Sequence, residues 1–276
     1  MRRIPSRDAE NSLIFMCITG SHLYGTSTKD SDWDWRGVFL PPASILLSPF
    51  LKIDTVSFQE REDRALYPLA KFMDLCIAGH PNITELLFVY PPFCISTPIW
   101  DRIAAHRDLF ISCLWIEKLM GFAKSEKKKM QSADKNIEKR DRAAYHYLRT
   151  LSHALSLIRH QRLQFPITIP IQVDFSLADV HRGRVEIERV IKAGMIMEHL
   201  IETESQNSHL PLYPSDESLA KLSQVYVEAV SEMIVSRSNI WLTRQQIDRW
   251  RQSLQDKINT IGNGNPGAGS SHIPSP

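Results

Sequence analysis

An unbroken apolar run, Leu13-Ile14-Phe15-Met16-Cys17-Ile18-Thr19, stands close to the amino terminus and is closed by Gly20. A run without alternation reads as a strand covered on both faces. Residues 32–40 alternate, turn apolar and stop at Pro41-Pro42, which predicts a second strand, and shorter pieces at 51–58 and 63–67 predict more. At Pro68 the period changes from that of a strand to that of a helix. The proline suits a first helical position, Leu69, Phe72, Met73 and Cys76 form the apolar stripe, and Gly79 ends it. Helical spacing then recurs over 83–89, 97–107, 111–124, 141–161, 185–204, 216–236 and 243–260, with a proline-rich break at 165–170. No internal repeat is visible. The expected fold is α+β, a small mixed β-sheet with flanking helices followed by a helical C-terminal region. The expected division is residues 1–95, residues 96–261, and a disordered tail rich in Gly, Ser and Pro at 262–276.

Composition narrows the class. With 276 residues, 43% of them hydrophobic, the chain buries a substantial core. Thirty-three Lys and Arg against 31 Asp and Glu leave a net charge of +2, so the average charge does not argue for nucleic acid and only a local patch can. One such patch is 124–142, with eight Lys or Arg against four acids, readable as a solvated loop or as a track for an RNA backbone. Cys17, Cys76, Cys94 and Cys113 lie far apart in apolar company without a CxxC pair, which argues against zinc and for reduced thiols in a cytoplasmic protein. No apolar run approaches the roughly 18 residues of a membrane span, and the basic first residues lack the apolar core of a signal peptide, so no membrane partner is expected.

The chemistry concentrates in residues 20–39, GSHLYGTSTKDSDWDWRGVF. Strand alternation sends Asp32 and Asp34 to one face and Trp33 and Trp35 to the other, where the tryptophans can join the core. Two carboxylates this close raise each other's pKa unless a cation neutralises them, and oxygen ligands at this spacing suit Mg²⁺ or Mn²⁺. Gly20-Ser21 follows the buried strand directly, where glycine admits a phosphate close to the backbone and the hydroxyl and amides can bind it. Together they describe a layout for phosphoryl or nucleotidyl transfer. The calcium-loop pattern also begins at Asp30, but its sixth position is Trp35 instead of Gly and its twelfth is Pro41 instead of Glu. A turn followed by a solvated strand face is the plain alternative for Asp-x-Asp alone.

These residues resemble the signature of the nucleotidyltransferase superfamily related to DNA polymerase β. The sequence looks like one branch of it, predicted bacterial and phage nucleotidyltransferases of which some are associated with RNA repair (RlaP-like). The matching pieces are Gly20-Ser21, Tyr24-Gly25-Thr26, Ser31-Asp32-Trp33-Asp34 and Arg36-Gly37-Val38-Phe39, then Asp63, 67–72, 79–82 and Glu85-Leu86-Leu87-Phe88, with His146 and Arg149 further on. The likeness covers most of 13–204, is weakest over 95–140, and departs at His80, where the family usually has Asn.

The resemblance implies a polymerase-β-type fold and a third carboxylate on a neighbouring strand that completes the metal triad and activates the attacking hydroxyl. Asp63 is the choice, four residues before Tyr67, with Glu60 and Glu62 as rivals. Arg142, His146, Arg149 and His153 share a helix face opposite Leu148, Leu151, Leu155 and Ile158, a pattern that on spacing alone marks a solvated surface. With the resemblance, His146 and Arg149 become candidates to bind the triphosphate or an acceptor's phosphate. Arg36 either orients the aspartates by an ion pair or reaches a phosphate. The expected reaction is Mg²⁺-dependent attack of an acceptor hydroxyl, favoured as an RNA 3′ end, on the α-phosphorus of an NTP, favoured as ATP. The alternatives are AMP transfer to a protein hydroxyl and a catalytically idle nucleotide- or RNA-binding module.

Overall fold

The computed structural model describes residues 2–58, 63–132, 136–236 and 239–263. Glu60, Glu62 and, of the expected tail 262–276, residues 264–276 lie outside the described residues. A short strand β1 (Arg2–Arg3) and helix α1 (Ser6–Glu10) precede β2 (Leu13–Thr19), whose seven residues are all buried as their unbroken apolar pattern requires. The chain passes from β2 directly into α2 (Gly20–Tyr24), capped by Gly25 in the left-handed conformation. Next come β3 (Asp34–Phe39), α3 (Ala43–Leu46), β4 (Leu51–Lys52), β5 (Val56–Phe58) and β6 (Asp63–Pro68). Helix α4 (Leu69–Ile77) buries the expected stripe of Leu69, Phe72, Met73 and Cys76. Helix α5 (Pro81–Thr84) runs on as a 3₁₀ turn, Glu85–Phe88, before β7 (Cys94–Ser96).

The main sheet has the order β5-β6-β3-β2-β7, with β3 and β6 parallel and the other neighbours antiparallel, while β1 and β4 form a separate parallel pair. The mixed α+β architecture with a helical C-terminal region is therefore present. β7 escapes sequence reading because three residues confined between Pro92 and Pro98 are too few to display a period. It spans the expected boundary near residue 95.

The remaining elements are α6 (Pro98–Ala105), α7 (Cys113–Ser132), α8 (Ile137–His160), α9 (Leu177–His181), α10 (Ile187–Ser205), α11 (Asp216–Val235) and α12 (Arg244–Asn263). One core runs from one face of the sheet into these helices: Trp100 of α6 stacks on Phe15 of β2 with ring centroids 3.9 Å apart, and α8 packs against both α7 and α10. A second core lies on the opposite face of the sheet, where Leu242, Ile247 and Leu254 return from the end of the chain to cover Met16, Ile18, Trp35, Phe39 and Leu66. Among the described residues, no helix is long and apolar enough to cross a membrane, and all four cysteines are free.

Two expectations change. The basic run at 124–142 is not a loop among the described residues: it forms the end of α7 and the start of α8, with Lys127 paired to Glu198 at 2.7 Å and Lys129 to the buried Glu126 at 2.6 Å. Trp33 is not core. β3 begins only at Asp34, because its β2 partner Thr19 is the last strand residue before the chain turns into α2. Trp33 is half-buried in a stack between His22 (4.1 Å) and Trp35 (5.8 Å), and only Trp35 is fully enclosed.

Candidate active site

The end of β2 and the starts of β3 and β6 converge at one edge of the sheet. Thr19 pairs with Asp34 across the antiparallel ladder, and Asp34 pairs with Asp63 across the parallel one, so two of the three expected carboxylates are register neighbours. Gly20 has φ of 66°, and a Cβ built on it would fall on Oδ2 of Asp34. Glycine is required there twice over, for the left-handed backbone and for the approach of the carboxylate. Gly20→Ala is expected to displace Asp34 and to cost about 1–2 kcal/mol of stability, read as a lower urea midpoint at an unchanged slope.

An open cleft of about 600 Å³ lies over this edge, with Gly20, Ser21, Asp30, Asp32 and Asp34 on one side. Its other wall comes from the helical half: Glu138, Asp141, Arg142, Tyr145 and His146 of α8, and His181, Arg182 and Gly183 at the end of α9. The α9 corner is tied to the loop after α2 by His181 Nδ1 against the carbonyl oxygen of Thr26, 3.1 Å, and Tyr145 meets the Thr26 hydroxyl at 3.1 Å.

Burial, above all, raises the Asp34 pKa, with the charges of Asp63 and Asp32 adding to it and Arg36 and His22 opposing. Arg36 lies on the same strand two residues on, and its Nη2 pairs with Asp63 Oδ2 at 2.8 Å while Nη1 donates to the carbonyl oxygens of Trp35 and Asp63. It thus orients neither Asp32 nor Asp34 by an ion pair. Among the described residues no group of three or more His, Cys, Asp or Glu side chains is gathered closely enough to hold a metal ion. Asp34, half-buried and without an ion pair among the described residues, and the exposed Asp32 beside it nevertheless form an all-oxygen donor pair facing the cleft, which fits Mg²⁺ or Mn²⁺. Asp63 stands alongside, occupied by Arg36.

The basic face of α8 divides by depth. Arg142 and His146 reach the cleft, whereas Arg149 and His153, one and two turns beyond His146, are buried. Arg149 is only 4% exposed; its Nη1 donates to the Tyr24 hydroxyl at 3.1 Å and lies 3.8 Å from Glu85 Oε2, and the Tyr24 hydroxyl lies 2.8 and 2.9 Å from the two Glu85 oxygens. The guanidinium also sits over the Tyr24 ring, 4.8 Å from its centroid. The structure therefore places Arg149 behind the cleft wall, in a closed polar network. Tyr24 and Glu85 belong to the motif pieces quoted from the sequence, but nothing in spacing assigned them to Arg149, because the three meet only in the folded chain.

Burial pushes the Glu85 carboxyl up to about 7, against the pull of Arg149, Tyr24 and Arg36. A folded-state value above the unfolded one means that Glu85 favours the fold fully below its ordinary range and that this contribution is lost as pH rises through about 7. His146 and His153, held neutral mainly by burial, act in the opposite sense on acidification. The stability difference between the wild type and Glu85→Gln isolates the first effect: it is expected to shift by about 2 kcal/mol between pH 4.5 and 7, in favour of the variant at the higher pH. A flat difference in urea midpoints would count against it.

Residues 1–212 match the family described as RNA repair pathway DNA polymerase beta family (RlaP). Among curated proteins the chain is similar to one from Enterobacteria phage T4, the "Uncharacterized 38.9 kDa protein in nrdC-mobD intergenic region". The two are 31% identical over 103 residues, which is 33% of this chain and 31% of that protein, so the chain spans about a third of its relative's length. No solved structure matches.

Proposed function

We propose that this chain, which belongs to the RNA repair pathway DNA polymerase beta family, transfers a nucleoside monophosphate from an NTP to the 3′-hydroxyl of an RNA. Membership in that family supports a nucleotidyltransferase of the polymerase β type; the NTP donor, the RNA 3′ end and Mg²⁺ are the finer reading. One observation carries it: the Asp34 carboxylate lies against the Cα of Gly20, beside Ser21 and Asp32, so the phosphate turn and the carboxylate pair share one cleft.

In this reading the Ser21 hydroxyl and the Gly20-Ser21 backbone bind the β- and γ-phosphates, with ATP the favoured donor. Asp32 and Asp34 would hold Mg²⁺, which when bound makes the attacking hydroxyl more acidic and neutralises charge on the departing pyrophosphate. Asp63, beside Asp34 in register, accepts the hydroxyl proton once Arg36 exchanges its carboxylate for a phosphate oxygen. The 3′-oxygen forms a bond to the α-phosphorus, the bond from that phosphorus to the bridging oxygen breaks, and pyrophosphate leaves with its electron pair. Arg149 serves as a buried brace in this account, and His146 faces the substrate.

A second reading, NMP transfer to a protein hydroxyl, gains from the fate of the basic run, since Lys127 and Lys129 are neutralised inside the chain rather than laid out along an RNA path. The idle-module reading loses, because a half-buried Asp34 whose charged form the fold disfavours is costly to keep without use. Offering the protein an NTP labelled on the α-phosphate, Mg²⁺ and RNA with either a free or a phosphate-blocked 3′ end separates the first two. The label is expected on the free-ended RNA alone. Label on protein together with none on RNA would replace the acceptor.

A further inference from the structure

His146 and the two arginines near it on the cleft do different work. Arg142 and Arg182 line the cleft and make no ion pair among the described residues, so they remain available to an anionic phosphate. His146 sits one turn of α8 inward of Arg142 and one turn outward of the buried Arg149, and Lys129 adds positive charge from α7, with the His181 ring nearby at the end of α9. Its ring packs against Tyr145 at 5.1 Å and Phe122 at 6.4 Å, and Tyr145 packs against His181 at 4.5 Å. Burial and these surrounding cations lower its pKa to about 3, so it carries no charge at neutral pH with which to attract a phosphate.

The polar atoms of the ring are equally telling. Nδ1 is buried and has no hydrogen-bond partner among the described residues. An isolated buried nitrogen keeps a lone pair at less cost than an N–H, so the proton of the neutral ring resides on Nε2. Nε2 makes no hydrogen bond among the described residues, and the side chain borders the cleft. The site therefore offers charge at Arg142 and Arg182 and, deeper in, an uncharged imidazole donor set among aromatic rings.

Building on the NTP reading above, we infer that His146 is a specificity-determining residue that donates one hydrogen bond from Nε2 to an uncharged acceptor on the nucleoside, a sugar hydroxyl or a base edge, and takes no part in binding the phosphates. A neutral donor that loses its acceptor is left unpaired in a partly buried site, and that asymmetry is what discriminates one nucleoside from another.

The test is equilibrium binding, which requires no turnover. Quenching of intrinsic tryptophan fluorescence is followed for each ribo- and deoxyribonucleoside triphosphate and for inorganic tripolyphosphate, all with Mg²⁺, on the full chain, His146→Phe and His146→Gln. His146→Phe is expected to weaken the best-bound NTP about 5- to 10-fold and to level the differences among nucleosides, with tripolyphosphate unchanged within about twofold. His146→Gln, which still donates, should recover most of the loss. Loss of the ribose-over-deoxyribose preference assigns the contact to a sugar hydroxyl, and loss of base preference assigns it to the base edge. The pH dependence of NTP binding between about pH 8 and about pH 5.5 should also be the same for the wild type and His146→Gln, whereas an imidazolium at position 146 that bound phosphate would tighten the wild type alone on acidification. If His146→Phe fails to fold by circular dichroism, His146→Gln against the shorter His146→Asn makes the same comparison. NTP and tripolyphosphate weakening together, or unchanged nucleoside preferences, would overturn this inference and leave the nucleotidyltransferase reading intact. Absence of NTP binding by the wild type would overturn both.

Discussion

Asp34→Asn is expected to lower nucleotidyl transfer at least about 10³-fold while raising the stability of the metal-free protein. Both effects have one source. Asp34 is half-buried beside Asp32 and Asp63, and its raised pKa states that the fold disfavours the charged form. A neutral amide of the same shape removes that repulsion and desolvation, so the thermal midpoint of the metal-free variant is expected above that of the wild type. The same change removes a charged oxygen ligand from the reaction. Added Mg²⁺ should stabilise the wild type and leave the variant unmoved, because only the carboxylate gains from the cation. A variant that is both active and unchanged in midpoint would show that Asp34 is an ordinary surface carboxylate.

Arg149→Met is expected to cost about 3–5 kcal/mol, the largest stability loss of any substitution considered. The Arg149 side chain is 5% exposed and that of Glu85 2%, so removing the guanidinium strands a buried carboxyl and takes away the donor to the Tyr24 hydroxyl. Much of the loss belongs to the orphaned partner rather than to the pair. Arg149→Met combined with Glu85→Gln should therefore recover a large part of it, giving a coupling energy of about 1–3 kcal/mol in a double-mutant cycle by urea unfolding. A single-variant loss below about 1 kcal/mol would mean that water reaches the network.

The strands and helices of this chain are legible because their periods are long and clean. The run 13–19, the stripe of α4 and the apolar side of α8 each fall where spacing puts them. Local chemistry is legible too: Gly20, Ser21, Asp32 and Asp34 line one cleft, and the glycine's necessity follows from a positive φ and a carboxylate overhead. Depth is not legible. A helical wheel sets His146 and Arg149 on one face, but distance along the α8 axis decides that one borders the cleft and the other is sealed behind Tyr24. Register is not legible either, since the pairing of Asp34 with Asp63 depends on a parallel ladder between strands far apart in sequence. Nor does any local pattern foretell that α12 returns to cover the sheet beneath Trp35. Glu198, which pairs with Lys127 from α10, is likewise a partner supplied by the fold, and charge counting over 124–142 cannot include it.

The central claim is that this cleft transfers a nucleotidyl group, and the direct measurement is which phosphate of the NTP moves. Parallel reactions with Mg²⁺ and a free-ended RNA, one with the label on the α-phosphate and one with it on the γ-phosphate, should place the α-label on the RNA 3′ end. The γ-label should leave as pyrophosphate in equal amount, and both signals should vanish in Asp32→Asn and Asp34→Asn. Transfer of the γ-label to the acceptor, or α-label transfer that survives both substitutions, would contradict the account.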